Sequence, residues 1–166
     1  MDQTHLHLLI NHLPIFGSIL GALVLAYGLS TKTLQTTIAA YLVLIISSIG
    51  AFIANQTGEA AEETVEHMQG ISEKLIKEHE ESAEIALIAM IILAILSLIA
   101  LFVAYKKSSY SYSLGWFTLI VALVAFGIIA RTGYLGGQIR HSEIRSNETT
   151  QENAPDKGEE SLKEIN

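Results

Sequence analysis

Six histidines carry most of the chemistry open to this chain: His5, His7, His12, His67, His79 and His141. Imidazole is a good ligand for Zn, Cu, Fe and Ni, and it is a common axial ligand of haem iron. His5 and His12 are seven residues apart, so on one helix they fall on nearly the same face, about two turns apart. On that reckoning His7 points elsewhere. Pro14 removes a backbone donor close to His12 and can bend the helix there, and Asn11 adds a polar group at the same depth. Arg131 and Arg140 are cations near the end of an apolar run, and each calls for an anion, either a carboxylate such as Glu59 or Glu84 or a bound anionic cofactor. Gly136-Gly137, adjacent and close by, imply that something packs against the backbone there, a helix or a flat ligand. The chain has no Cys, which excludes disulfides, thiolate metal sites and C-x-x-C-H haem attachment.

The elements that position these residues are apolar. Half of the 166 residues are hydrophobic and the mean hydropathy is +0.40. Residues 85–105 and 114–130 contain no Asp, Glu, Lys, Arg or His. A helix needs about 20 such residues to cross a hydrocarbon layer of about 30 Å. Four runs qualify: 6–28, 34–54, 85–105 and 114–139, the last interrupted by Arg131. A water-soluble bundle would place polar residues every three or four positions. These runs do not, and they predict an all-α integral membrane four-helix bundle over residues 1–145. The N-terminus, "MDQTHLHLL", has no basic region and is followed by no small-x-small site, so the first run is read as a retained anchor.

Four spans place both termini and the loop between spans two and three on one face. All 17 acidic residues fall there with seven of the ten basic ones, a net of −10. The two short loops of the other face, 30–33 and 106–113, hold Lys32, Lys106 and Lys107 and no acid. By the positive-inside rule the lysine loops are cytoplasmic, which puts the acidic face and both termini outside the cytoplasm, in a bacterial inner membrane. All six histidines belong to that acidic face.

Residues 57–84 read as two short amphipathic helices over the acidic face. Thr57-Gly58 ends span two, Ala60, Ala61, Val65 and Met68 form a stripe, Gly70 breaks it, and Ser72 restarts a helix that runs into span three. Residues 146–166 have the acidic, apolar-poor composition of a disordered tail. Two sequons, at Asn55 and Asn147, match glycosylation acceptors, a pattern common by chance. Gly17-x-x-x-Gly21 in span one is read as helix packing.

Spans one, three and four each bring a histidine to one membrane level. Two binding chemistries fit. The first is haem b, with His12 and His79 as iron ligands, His141 or His5 as substitutes, Arg131 and Arg140 on the propionates, and Gly136 and Gly137 making room. Histidines about 13 residues apart within one helix are missing, so haems stacked across the membrane are excluded; one haem, or two close together at the acidic face, remains. The second is a divalent transition metal held by His67, His79 and His141 with Glu59, Glu62 and Glu80. Glu63-x-x-x-His67 and Glu80-x-x-x-Glu84 share helix faces, but the di-iron Glu-x-x-His spacing is absent. A third possibility is a structural subunit of a larger membrane complex with no cofactor.

Three stretches taken together, "HLHLLINHLPIFGSILG", "TGEAAEE…HEESAEIAL" and "RTGYLGGQIRHSEIR", resemble domain-of-unknown-function family 2231, small bacterial four-span membrane proteins loosely similar to four-helix b-type cytochromes. The resemblance covers about residues 5–145. It implies that the motif positions are His5, His7, Asn11, His12, Pro14, Thr57, Gly58, Glu59, Glu62, His79, Glu80, Arg131, Gly136, Gly137, Arg140 and His141. It also implies a haem or redox role. The expected function is electron transfer near the outer membrane surface, between the quinone pool and an extracytoplasmic redox partner. An electron carrier or accessory subunit is expected rather than a stand-alone enzyme, with the lipid bilayer as solvent and no nucleic-acid partner.

Overall fold

The computed structural model describes residues 3–65 and 72–140. They form five helices: α1 (Gln3–Ile10), α2 (His12–Ser30), α3 (Leu34–Val65), α4 (Glu73–Tyr105) and α5 (Ser111–Arg140). α1 and α2 are one span broken at Asn11, so four helical stretches are long and apolar enough to cross a membrane. The break has a local cause. Pro14 has no N–H to offer the carbonyl of Ile10, the bond that would carry the helix through. α2 packs on α3, α3 on α4, α4 on α5 and α5 back on α2, which closes an antiparallel four-helix bundle. α1 packs mainly on α3 and contains no fully buried residue.

Residue size is sorted by direction. The interior is built of Ala22, Ala40, Ala51, Ala100, Ala104, Ala122 and Ala125 with a few larger groups, Leu25, Tyr41, Leu44, Met90 and Leu93. The large aliphatic and aromatic side chains, among them Phe16, Leu20, Ile88, Ile92, Ile95 and Phe117, are exposed. Lipid offers no hydrophobic drive between helices, so close approach of small residues does the packing. Gly28 shows how close. A β-carbon there would lie 2.8 Å from the backbone nitrogen of Thr37 on α3.

Both turns of the lysine end are built alike. Lys32 N–H donates to Leu29 O and Thr33 N–H to Gly28 O, while Lys107 N–H donates to Ala104 O and Ser108 N–H to Val103 O. This is the paired helix-end bond pattern that usually places glycine in the left-handed region. Here a lysine occupies it in both turns, with φ of 54° at Lys32 and 52° at Lys107.

The loop between spans two and three differs from the sequence reading. Thr57-Gly58 does not end span two; α3 continues unbroken to Val65. The Thr57 hydroxyl turns back onto the carbonyls of Ile53 and Ala54, 2.9 and 3.1 Å away, so its polar group is satisfied within the helix. The restart at Ser72 is as the sequence reading has it: α4 starts at Glu73 and runs without interruption into span three. At 1.5 Å per residue its 33 residues span about 50 Å. The apolar run 85–105 fills the hydrocarbon layer, and the charged first third stands beyond it.

Candidate functional site at the acidic end

Among the described residues, two half-buried histidines lie at the acidic end, His7 and His79. His7 sits on α1, and its Nδ1 lies 2.9 Å from the carbonyl oxygen of Ala54 on α3. The Thr57 hydroxyl stands 3.4 Å from the same nitrogen. Gly58 lies beside the ring; a β-carbon there would be in ordinary contact with Cε1 at 3.4 Å. His79 sits on α4, and its Nδ1 lies 3.0 Å from the carbonyl oxygen of Thr132 on α5.

A carbonyl oxygen can only accept. Nδ1 therefore carries the proton in both rings, and in the neutral form Nε2 keeps its lone pair. Metal-ligating histidines are commonly oriented by such an Nδ1–H bond to a backbone carbonyl. The two rings are electrostatically in reach of each other. Burial holds the His79 imidazole below the usual histidine range, the Thr132 carbonyl acts the other way, and a charge on His7 lowers it further. His79 precedes the apolar run 85–105, so this titration takes place outside the membrane-spanning segment.

Hydroxyls brace His79. Thr132 Oγ1 lies 3.0 Å from the Ser82 carbonyl and 2.8 Å from Ser82 Oγ. Arg131 donates from one guanidinium nitrogen to Ser82 Oγ at 3.3 Å. Ser82 and Thr132 are buried, which makes this α4–α5 contact an enclosed one. Gly136 completes it. A β-carbon on Gly136 would lie 2.9 Å from His79 Cε1, so what packs against the glycine pair is the imidazole of His79.

The remaining predicted residues fall as follows. His12 and His79 are not brought together. His12 is exposed on α2 and its ring stacks on Phe16, centroids 6.4 Å apart and planes 13° apart. His5 is also exposed. Arg131 is exposed and bonds to Ser82 rather than to Glu84 or Glu59, both of which are exposed too. It is 20 residues from the start of α5, about 30 Å along the helix, towards the end of the stretch 111–139 that is apolar enough to cross a membrane. Glu80 is exposed and Gly137 half-buried. His67 and His141, and the side chains of Glu62 and Arg140, lie outside the described residues, as does the tail 146–166. Among the described residues, no three His, Asp or Glu converge as a metal site.

His7 is the residue the sequence reading passed over. The inward face of α2 is marked by Pro14, Gly17, Ser18 and Gly21, all buried. Seven residues before Pro14 is His7. The small-residue stripe, extended back by two turns, was the available signal. Asn11, one turn after His7, has its side-chain oxygen buried without a partner.

No family model, curated protein or solved structure matches the chain.

Proposed function

We propose that the protein is a membrane-bound b-type haem electron carrier, with His7 and His79 as the axial ligand pair at the acidic end of the bundle. One observation carries this reading: two half-buried imidazoles at the acidic end, close enough to influence each other electrostatically, each with Nδ1–H fixed on a main-chain carbonyl and the Nε2 lone pair left free. A closed metal site takes four protein ligands, whereas haem iron takes only its axial ligands from the protein. Among the described residues no third donor joins the two histidines, which suits the second case. Bound there, haem supplies a one-electron couple.

The chain's own residues do the rest. Ala54 and Thr132 hold the two rings in one tautomer. Gly136 leaves the room that the His79 ring fills. Arg131, exposed near the acidic end of α5, is the cation available to a carboxylate of the cofactor. The acidic end is read as extracytoplasmic in a bacterial cytoplasmic membrane, with the quinone pool and an extracytoplasmic protein as redox partners.

The test is the visible spectrum of the detergent-purified protein, oxidised and then dithionite-reduced. A Soret band with sharp α and β bands on reduction is expected. His7→Ala and His79→Ala are expected to lose it and His12→Ala to keep it. A featureless spectrum from haem-replete cells would sink the reading. Loss in His12→Ala with retention in His7→Ala would sink the ligand assignment alone.

A further inference from the structure

The lysine end of the bundle holds a cavity that electron transfer at the opposite end does not use. It measures about 420 Å³ and lies between the α2–α3 and α4–α5 turns. Lys32 supplies its cation, and the hydroxyls of Thr37, Ser108, Ser109 and Ser111 line it, with Tyr112 at its edge. α3 starts at Leu34 and α5 at Ser111, both on the cavity wall. The whole end carries Lys32, Lys106 and Lys107 and no acidic residue. A basic pocket between membrane helices at the headgroup level is a setting in which anionic lipid headgroups bind. Exposed Tyr27, Tyr105, Tyr110, Tyr112 and Trp116 form the aromatic belt that marks this level.

An independent observation lies under the cavity. Tyr41 is fully buried, and its hydroxyl has no hydrogen-bond partner. That oxygen would be 3.1 Å from a β-carbon on Gly115, beside the Leu29 side chain that forms part of the cavity lining. It sits one helical turn below Thr37 on α3 and reaches α5 one turn below Ser111. Buried hydroxyls are nearly always satisfied.

We propose that the cavity binds a phosphate group, carried by an anionic phospholipid headgroup or free in solution, with Lys32 as its cation and the Ser108, Ser109 and Ser111 hydroxyls as donors. Each oxygen of a phosphate accepts hydrogen bonds, which suits a wall of hydroxyls around one ammonium. This site stands or falls apart from the haem reading, since it shares no residue with it.

The experiment uses the full chain in phosphatidylcholine mixed micelles. It is titrated with phosphatidylglycerol and, separately, with inorganic phosphate, and bound ligand is counted by native mass spectrometry. Lys32→Gln is compared with Lys107→Gln, which removes the same charge from the same end but not from the cavity wall. Removing one charged contact should weaken binding about tenfold. Phosphatidylglycerol binding that weakens so in Lys32→Gln and is unchanged in Lys107→Gln supports the site with lipid as the source. The same pattern with inorganic phosphate supports it with a soluble source. Equal weakening in the two variants, unchanged binding in Lys32→Gln, or no binding of either probe would overturn it.

Discussion

Gly136 and His79 compete for one volume: a β-carbon on Gly136 would stand 2.9 Å from Cε1 and 3.2 Å from Nδ1 of the imidazole. The ring cannot retreat along its axis, because Nδ1 is tied to the Thr132 carbonyl one turn earlier on the same helix. A methyl at 136 therefore displaces the ring or strains α5.

Gly136→Ala is expected to destabilise the protein. Overpacking a filled site costs about 1–3 kcal/mol, while replacing a helical glycine by alanine gains at most about 1 kcal/mol. Gly127 is the control, with nothing within 4 Å of its β-carbon position. Gly127→Ala should be neutral or stabilising in the same thermal unfolding experiment in detergent. If both variants behave alike, the glycine at 136 is not holding space for the ring.

Thr132→Val keeps the shape of the side chain and removes its hydroxyl. It leaves the buried Ser82 Oγ without its 2.8 Å partner and deletes the 3.0 Å bond to the Ser82 carbonyl. The expected loss is about 0.5–1.5 kcal/mol, the range of interhelical hydrogen bonds in membranes. Amide exchange slowest in this part of α4 and α5, and faster in the variant, would be the local signature. An unchanged midpoint would show that the hydroxyl pair contributes nothing net.

In the haem-free protein His79 makes stability depend on pH. Its folded-state value lies below the ordinary histidine range, chiefly through burial. The unfolded chain then binds the proton more readily than the folded one, and stability rises with pH across the window between the two values. Its contribution is fully present above about 6.5, the ordinary histidine value, and is lost as pH falls below that toward the folded value. His79→Gln should flatten this part of the profile relative to wild type in unfolding curves taken from about pH 5 to 8. An identical slope in the variant would exclude His79 as the source.

Lys32 and Lys107 hold left-handed backbone angles, 54° and 52° in φ. For a residue with a β-carbon this conformation costs about 1–2 kcal/mol, part of which glycine recovers. Lys32→Gly and Lys107→Gly should each raise the thermal midpoint by up to about 1 kcal/mol equivalent. A fall in both would mean that lysine side-chain contacts outweigh the backbone term.

The four spans were legible because 85–105 and 114–130 hold no charged residue, a pattern that only lipid permits. The sorting of Lys32, Lys106 and Lys107 from all 17 acids was legible for the same reason. The helical phase of the site was not. A histidine deep in an apolar run attracts attention, so His12 was set facing inward and His5 with it. The buried stripe of Pro14, Gly17, Ser18 and Gly21 fixes the opposite phase and selects His7. Thr57-Gly58 looked like a helix end because both residues are poor helix formers. Its setting depends on His7, 50 residues earlier, whose ring lies against the Thr57 hydroxyl and beside Gly58. No local pattern carries that information. The glycine pair at 136–137 announced a close neighbour, and only the folded chain shows that the neighbour is His79.

α1 is eight residues long, buries none of them fully, and leans almost wholly on α3. Its attachment to α2 passes through Asn11 and the break imposed by Pro14. An isolated helix of that length is not stable in water, so α1 is the part of the bundle that opens first and most often. The two inward histidines are therefore unequal in time. His79 is clamped between two long spans, while His7 is carried on the segment that frays. Hydrogen exchange at residues 3–10 is expected to be faster than in α4 and α5, and it is the measurement that reads this inequality.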